Sequence, residues 1–85
     1  MPATYLVYIV RNSEGRRYIG LSEDVTVRLS QHNAGSSKWT AKYRPWVVEW
    51  ISRPRTLGDA RRLENALKRQ KGGSGLLALM QAHGS

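Results

Sequence analysis

The sequence contains no cysteine. Disulfides, thiolate metal sites and cysteine nucleophiles are therefore excluded, and the composition gives no support to secretion. No apolar run is long enough to cross a bilayer, and the opening MPATYLVYIV has neither the basic leader nor the small-residue cleavage site of a signal peptide. We therefore expect a cytoplasmic protein that does not bind membranes.

Acidic residues are also scarce. Six Asp and Glu stand against 14 Lys and Arg, which gives a formal net charge of +8. Such an excess favours partners with dense negative charge, nucleic acid above all, although a solubilising surface has the same composition. Ten of the cations are arginines. Their planar guanidinium groups can bind phosphate oxygens through two parallel hydrogen bonds, so the balance indicates a phosphate-bearing partner.

The chain has 85 residues and shows no internal repeat. We expect a single domain over residues 1–85, with a motif-bearing core at about 4–71. A glycine-rich break and a short apolar segment follow at 72–85. A domain of this size buries a modest share of its surface, so its free energy of unfolding should be only a few kcal/mol.

The N-terminal third predicts a β-hairpin. Residues 5–10 and 17–21 are rich in β-branched and aromatic side chains, as strands are. The stretch between them is polar, and Gly15 is expected to supply a positive φ in the turn.

A helix is predicted next, over about 23–33. Ser22 or Asp24 can cap its first turn, where acidic residues also complement the helix dipole. Val25 and Leu29, four residues apart, are expected on its buried side.

A loop and a third strand are predicted after this helix. Residues 35–44 are polar and cationic, as loops commonly are. Residues 46–52 are apolar on both faces except at Glu49, which suits a sheet covered by helices.

A second helix is predicted from about 57 to 71. Thr56 and Asp59 have the spacing of a capping box. Glu64 lies beside the apolar stripe, so a carboxylate is held near the buried face. Residues 76–80 predict a short closing helix. The inward stripe consists of Leu57, Ala60, Leu63 and Leu67. The order β-β-α-β-α predicts an α/β fold with a small three-stranded, mostly antiparallel sheet flanked by helices.

Five side chains are candidates for chemistry: Tyr8, Tyr18, Arg28, His32 and Glu64. Each also has an ordinary structural explanation. Tyrosine is a good strand former, and His32 could complement the dipole at a helix C-terminus. Arg28 could pair with Asp24 four residues before it, and Glu64 could pair with a lysine four residues later. Taken singly, none of the five indicates a function.

Taken together, the five residues resemble the pattern of the GIY-YIG nuclease family. LVY at 6–8 stands where that family has its first motif, and YIG at 18–20 matches the second. Ten residues separate the tyrosines of the two motifs, ten more reach Arg28, and His32 follows four later, as in the family. Glu64 falls in the second helix, where the family carries its metal-binding acid.

The resemblance extends over roughly 4–71 and is strongest to the small stand-alone bacterial members, of the UPF0213 type. Three features depart from the pattern. Leu6 replaces the glycine of the first motif, Val7 conservatively replaces its isoleucine, and nothing after Asn65 supplies the late asparagine that several relatives carry.

The resemblance implies the GIY-YIG fold and a metal-dependent endonuclease that hydrolyses DNA phosphodiester bonds, in DNA repair or recombination. Glu64 would hold one Mg²⁺ or Mn²⁺ mainly through water, and Arg28 would clamp a phosphate oxygen. Tyr8 would activate water, His32 would relay the proton, and Tyr18 would position water or phosphate. The residues alone leave the roles of these three interchangeable.

The predicted loop also carries a candidate binding surface. Cations and aromatics alternate there, as they do on surfaces that contact phosphates and stack on bases. Alternatively, its two aromatics are core residues at the edge of the sheet. The predicted nucleic-acid-binding residues are Lys38, Trp39, Lys42, Tyr43 and Arg44.

Two other functions stay open on the sequence alone. A non-catalytic nucleic-acid-binding module would bind DNA without cutting it. An adaptor would dock on a larger repair or recombination protein, which would supply the target, through apolar surface at Trp46, Trp50 or 76–80.

Overall fold

A computed structural model describes residues 4–35, 38–70 and 73–84. Its three strands form an antiparallel sheet in the order β2-β1-β3, with helices on both faces. The predicted α/β fold is therefore confirmed. In chain order the elements are β1 (Leu6–Arg11), β2 (Arg17–Ser22), α1 (Val25–Ala34), α2 (Lys38–Lys42), β3 (Val47–Ile51), α3 (Leu57–Arg69) and α4 (Ser74–His83).

The central strand β1 is buried on both faces. Side chains alternate across a strand, so Val7 and Ile9 face one side of the sheet while Tyr8 and Val10 face the other. The side of Val7 and Ile9 packs against α3 and α4, through Ala60, Leu63, Leu67 and Leu76. The side of Tyr8 packs against Val25 and Leu29 of α1 and against Trp46. Tyr8 and α1 therefore share one face of the sheet.

Asn12 shapes the turn of the hairpin. Its side-chain oxygen accepts hydrogen bonds from the backbone N–H groups of Glu14 and Arg16, and its amide donates to the carbonyl of Tyr43. Gly15 has a φ of 83°, as predicted, because the chain reverses there in the left-handed region.

Helix α1 begins at Val25, two residues later than predicted. Asp24 is its N-cap and accepts from the backbone N–H of Val27, so Glu23 precedes the helix and its first turn holds no acidic residue. The expectation of acidic residues in that turn was wrong. Val25 is buried and Leu29 packs against the same cluster, as predicted.

Residues 35–44 were predicted as a loop, but they contain the helix α2. Thr40 in that helix is fully buried, and its carbonyl accepts a hydrogen bond from the indole Nε1 of Trp46. Packing against Trp46, which follows the segment, therefore stabilises a helix where the polar composition predicted a loop.

Strand β3 differs from its prediction at its first residues. Trp46 precedes the strand, is buried, and exchanges hydrogen bonds with the side chain of Asn33. Val47 and Val48 are 55% and 39% exposed, so the strand is not covered on both faces. Because β3 lies at an edge of the sheet, the helices that cover β1 leave these residues open.

Helix α3 has the predicted cap, since Thr56 accepts from the N–H of Asp59. Leu57 is 38% exposed, so its assignment to the inward stripe was wrong. Leu57 is the first residue of the helix and lies outside the core formed by Ala60, Leu63 and Leu67. The helix ends at Arg69, short of the predicted Lys71, because Gln70 is its C-cap and has an extended backbone. Gly72 of the predicted glycine-rich break lies outside the described residues.

Helix α4 is longer than the predicted 76–80 and closes the molecule against β3. Ser52 forms a bridge with Gly84, and the indole Nε1 of Trp50 donates to the carbonyl of Met80. The two tryptophans proposed for an adaptor surface are thus engaged inside the domain, Trp46 in the core and Trp50 against α4. No helix among the described residues has the length and apolarity to cross a membrane.

Candidate active site

A buried hydrogen bond joins strand β1 to helix α1. The hydroxyl of Tyr8 lies 2.9 Å from Nε2 of His32, and the two residues are 1% and 2% exposed. His32 reaches the sheet because it lies in the last turn of α1, on the side that faces Tyr8. Tyr18 completes an aromatic group, with its ring centroid 4.8 Å from His32 and 6.3 Å from Tyr8.

The register of the hairpin explains this grouping. Tyr8 pairs with Gly20 and Val10 pairs with Tyr18, so the two tyrosines are diagonal neighbours on one face of the sheet. Gly20 leaves the space that the Tyr8 ring occupies. A Cβ at that position would lie 2.6 Å from Oη and 2.8 Å from Cζ of Tyr8.

Replacing Gly20 with alanine should therefore displace Tyr8 and lower the free energy of unfolding by about 1–3 kcal/mol, as expected for overpacking. Urea denaturation measures the change. Gly58→Ala is the matched control, because a Cβ there meets nothing within 4 Å and alanine is the better helix former. Equal stability of Gly20→Ala and the native protein would show that the Tyr8 ring is not confined.

Arg28 lies one turn before His32 on α1 and is exposed. Its guanidinium Nη1 donates to the side-chain oxygen of Gln31 at 3.0 Å. It also hydrogen-bonds to Tyr8 and is close enough to Tyr18 for both phenols to raise its own pKa. Arg28 therefore places a positive charge at the solvent side of the aromatic group.

The pKa shifts define the protonation states of the buried pair. Burial raises the pKa of Tyr8, and the hydrogen bond to Arg28 opposes that rise. Burial also lowers the pKa of His32, and the charge of Arg28 lowers it further. At neutral pH the pair is thus a phenol and a neutral imidazole, and in the tautomer that carries its hydrogen on Nδ1 the Tyr8 hydroxyl donates and Nε2 accepts. Nδ1 of His32 is buried and has no hydrogen-bond partner within the described part of the chain.

Glu64 belongs to α3, on the other face of the sheet, and acts on this group through its charge. Its carboxylate is among the causes that raise the pKa of Tyr8. It forms an ion pair at 3.3 Å with Lys68, the lysine four residues later in the same helix. An i,i+4 pair of this kind contributes only about 0.3–0.5 kcal/mol, so it does not tie the carboxylate to the lysine. The structure thus brings four of the five candidates together and places Glu64 within electrostatic range.

The donor set restricts which metal ions fit. Over residues 4–35, 38–70 and 73–84, no three His, Asp or Glu side chains are grouped so as to hold an ion. Structural or catalytic zinc sites need three or four such ligands. Magnesium commonly keeps several waters and takes one or two carboxylates, so the single half-buried carboxylate of Glu64 fits a hydrated Mg²⁺ or Mn²⁺.

The predicted binding residues lie next to the aromatic group. Trp39 is 6.1 Å from Tyr18 and 5.1 Å from Tyr43, between ring centroids. Lys42 lies over the Tyr43 ring at 5.4 Å, and Arg16 lies over the same ring at 4.1 Å. Trp39 is 42% exposed, so it is not a core residue, although its ring stacks on the buried Trp46.

The remaining predicted cations flank this surface. Lys38 begins α2 and is exposed, while Arg44 donates from Nη1 to the carbonyl of Asn33 at 3.3 Å. Sequence reasoning missed Arg16, which lies at the end of the hairpin turn. The sequence feature that could have indicated Arg16 is its position directly before strand β2, which carries the candidate residue Tyr18.

Comparisons with known proteins identify the family of the chain. The model of the GIY-YIG catalytic domain matches residues 4–75. A UPF0213 protein of Aeromonas salmonicida is 37% identical over 65 residues, covering 75% of this chain and 48% of its own length. A UPF0213 protein of Staphylococcus aureus strain Mu3 is 35% identical over 66 residues, covering 76% of this chain and 80% of its own length. The chain therefore spans about half of the first relative.

No solved structure matches the chain. The family match covers most of the sequence, includes all five candidate residues, and coincides with the observed sheet order and helices. The chain therefore belongs to the GIY-YIG family, whose catalytic domain indicates a nuclease that acts on nucleic acid.

Proposed function

We propose that the protein is a metal-dependent endonuclease that hydrolyses phosphodiester bonds of DNA. The observation that carries the proposal is the buried hydrogen bond between Tyr8 and neutral His32, with the exposed guanidinium of Arg28 beside it. This arrangement offers a buried proton acceptor and, next to it, an exposed cation that can bind an anion. Hydrolysis of a phosphodiester requires both.

The proton path follows from the pKa shifts. A tyrosine whose pKa is raised by burial is a poor base if it must first ionise. Tyr8 can nevertheless accept the proton of an attacking water while it passes its own proton to Nε2 of His32. The imidazolium formed would be the proton store, and no phenolate accumulates.

Arg28 and Tyr18 would act on the phosphate. The guanidinium of Arg28 would donate to a non-bridging oxygen and stabilise the extra negative charge of the transition state. Tyr18, half-buried beside His32, would orient the phosphate or the water through its hydroxyl.

Glu64 would hold a hydrated Mg²⁺ or Mn²⁺. When bound, the ion polarises the phosphate and stabilises the leaving oxygen. Release of Glu64 from Lys68 costs little because that pair is partly exposed to solvent.

The acidic limit of cleavage should lie below pH 6.5, the ordinary pKa of histidine. Neutral His32 must accept the proton, and burial together with Arg28 holds its pKa below that value. Protonation therefore removes activity only as pH falls through the lowered pKa. An NMR titration of the metal-free protein gives the midpoint of His32, with His83→Gln used to assign the signals.

Arg28→Gln should move that midpoint upward, because it removes the neighbouring positive charge. A His32 midpoint at or above 6.5 in the native protein would contradict the neutral acceptor.

The decisive experiment is a panel of labelled duplex, flap, junction and single-stranded DNA, incubated with Mg²⁺, with Mn²⁺ or with EDTA. Cutting that EDTA stops supports the endonuclease. Salt-dependent binding without cutting in any arm would favour the non-catalytic binding module. Preferential cutting of branched DNA would support a place in repair or recombination.

A further inference from the structure

Trp39 presents an exposed aromatic surface beside the candidate active site. It is 42% exposed, although indole is among the side chains that gain most from burial. Its ring centroid lies 6.1 Å from that of Tyr18, which in turn lies 4.8 Å from His32. The exposed part of the indole is therefore available to a ligand that reaches the candidate active site.

The indole of Trp39 packs against a buried tryptophan, Trp46. It stacks on Trp46 with an interplanar angle of 29° and a centroid distance of 5.5 Å. Trp46 is 1% exposed, its indole donates to the carbonyl of Thr40, and its backbone N–H donates to the side chain of Asn33. Trp39 is therefore held in place before any ligand arrives, which reduces the entropy lost on binding.

Positive charge surrounds the same surface. Tyr43, 5.1 Å from Trp39, carries Arg16 over its ring at 4.1 Å and Lys42 at 5.4 Å. A flat aromatic surface bordered by cations matches a nucleotide, whose base can stack while its phosphates meet the charges. The faces of bases inside a duplex are already covered by their neighbours, so only an unpaired base can offer its face to Trp39.

From these contacts we infer that Trp39 is the stacking platform for an unpaired nucleobase next to the scissile phosphate. The enzyme then selects DNA with an unpaired nucleotide at the cleavage point, such as a flap or a frayed end, and shows little preference for the identity of that base. This inference rests on the proposed nuclease function for the location of the phosphate, but its binding step can be measured without cleavage.

The test measures binding in EDTA, so that no DNA is cut. Flap DNA carries 2-aminopurine at the branch nucleotide, and fully paired DNA of equal length carries it at the same sequence position. Both affinity and fluorescence are recorded. Two substitutions of Trp39 separate stacking from packing: Trp39→Phe keeps an aromatic face, whereas Trp39→Leu fills similar space without one. Leu77→Ala is the control, because Leu77 is 53% exposed and lies on α4, outside both the site and this surface.

We expect the native protein and Leu77→Ala to quench 2-aminopurine in flap DNA and to bind it more tightly than paired DNA. Trp39→Leu should weaken flap binding about tenfold and abolish quenching, while binding of paired DNA changes less than twofold. Trp39→Phe should retain most of both effects. Unquenched 2-aminopurine with the native protein, or equal weakening of both DNAs by Trp39→Leu, overturns the inference.

The two proposals fail in different ways. If flap binding and quenching behave as expected but no DNA is cut with Mg²⁺ or Mn²⁺, the platform stands and the endonuclease fails. If DNA is cut but flap and paired DNA are bound alike by the native protein, only the platform fails.

Discussion

Glu64→Gln should reduce metal-dependent DNA cleavage by about a thousandfold or more, with DNA binding changed less than twofold. The substitution keeps the size of the side chain but removes the charge that would hold the ion and its stabilisation of the leaving oxygen. Glu64 belongs to α3 and its side chain is only 15% exposed, so it offers chemistry rather than contact area. Nicking of supercoiled plasmid in Mg²⁺ and in Mn²⁺ measures the rate, and fluorescence anisotropy in EDTA measures binding.

The chain provides a closely matched control in Glu49→Gln. Glu49 is another partly buried glutamate paired with a cation, with 19% side-chain exposure against 15% for Glu64. Its partner is Arg17, at 2.7 Å. Burial is thus alike, while Glu49 has the stronger ion pair, with two hydrogen bonds from Arg17, and lies on β3 rather than α3. Glu49→Gln should cut at close to the native rate, whereas an undiminished rate in Glu64→Gln would remove Glu64 from the metal site.

Much of the site could be predicted because it depends on short-range periodicity. Alternation along a strand places Tyr8 and Tyr18 on one face once the hairpin register is known, and helical spacing places Arg28 and His32 on one side of α1. The turn at Gly15 and the cap at Thr56 are also local, since each depends on hydrogen bonds within a few residues. These features were visible in the sequence.

The features that could not be predicted depend on contacts distant in sequence. Helix α2 forms in a polar segment because Thr40 meets the indole of Trp46. Trp50, which looked available for a partner, is engaged by Met80 thirty residues later. The exposure of Val47 depends on which strand lies at the edge of the sheet. Composition and periodicity do not contain this information.

The pKa shifts bear on the role expected for Tyr8. The resemblance implied that Tyr8 activates water while His32 relays the proton, and Arg28 hydrogen-bonds to Tyr8. Burial is nevertheless the largest influence and raises the pKa of the phenol. Because neutral His32 lies 2.9 Å away, Tyr8 serves better as one step of a relay than as a preformed phenolate.

Tyr8→Phe should therefore lower the cleavage rate by about a hundredfold to ten thousandfold, the range typical of losing a positioned proton-transfer group. The phenyl ring keeps its packing over Gly20, so the fold should survive. Stability should fall by about 1–3 kcal/mol because Nε2 of His32 is left buried without its partner. Single-turnover nicking at saturating enzyme measures the chemical step, and urea denaturation measures the stability.

Tyr5→Phe controls for loss of a tyrosine hydroxyl, because Tyr5 packs on the other core, against α3 and α4. It should cut at the native rate. A relay also predicts that Tyr8→Phe and His32→Gln are not additive, since each interrupts the same proton path. The double substitution should be no slower than the slower single one by more than a few-fold. Fully additive losses would show that Tyr8 and His32 act in separate steps, and the hydrogen bond between them would then serve structure alone.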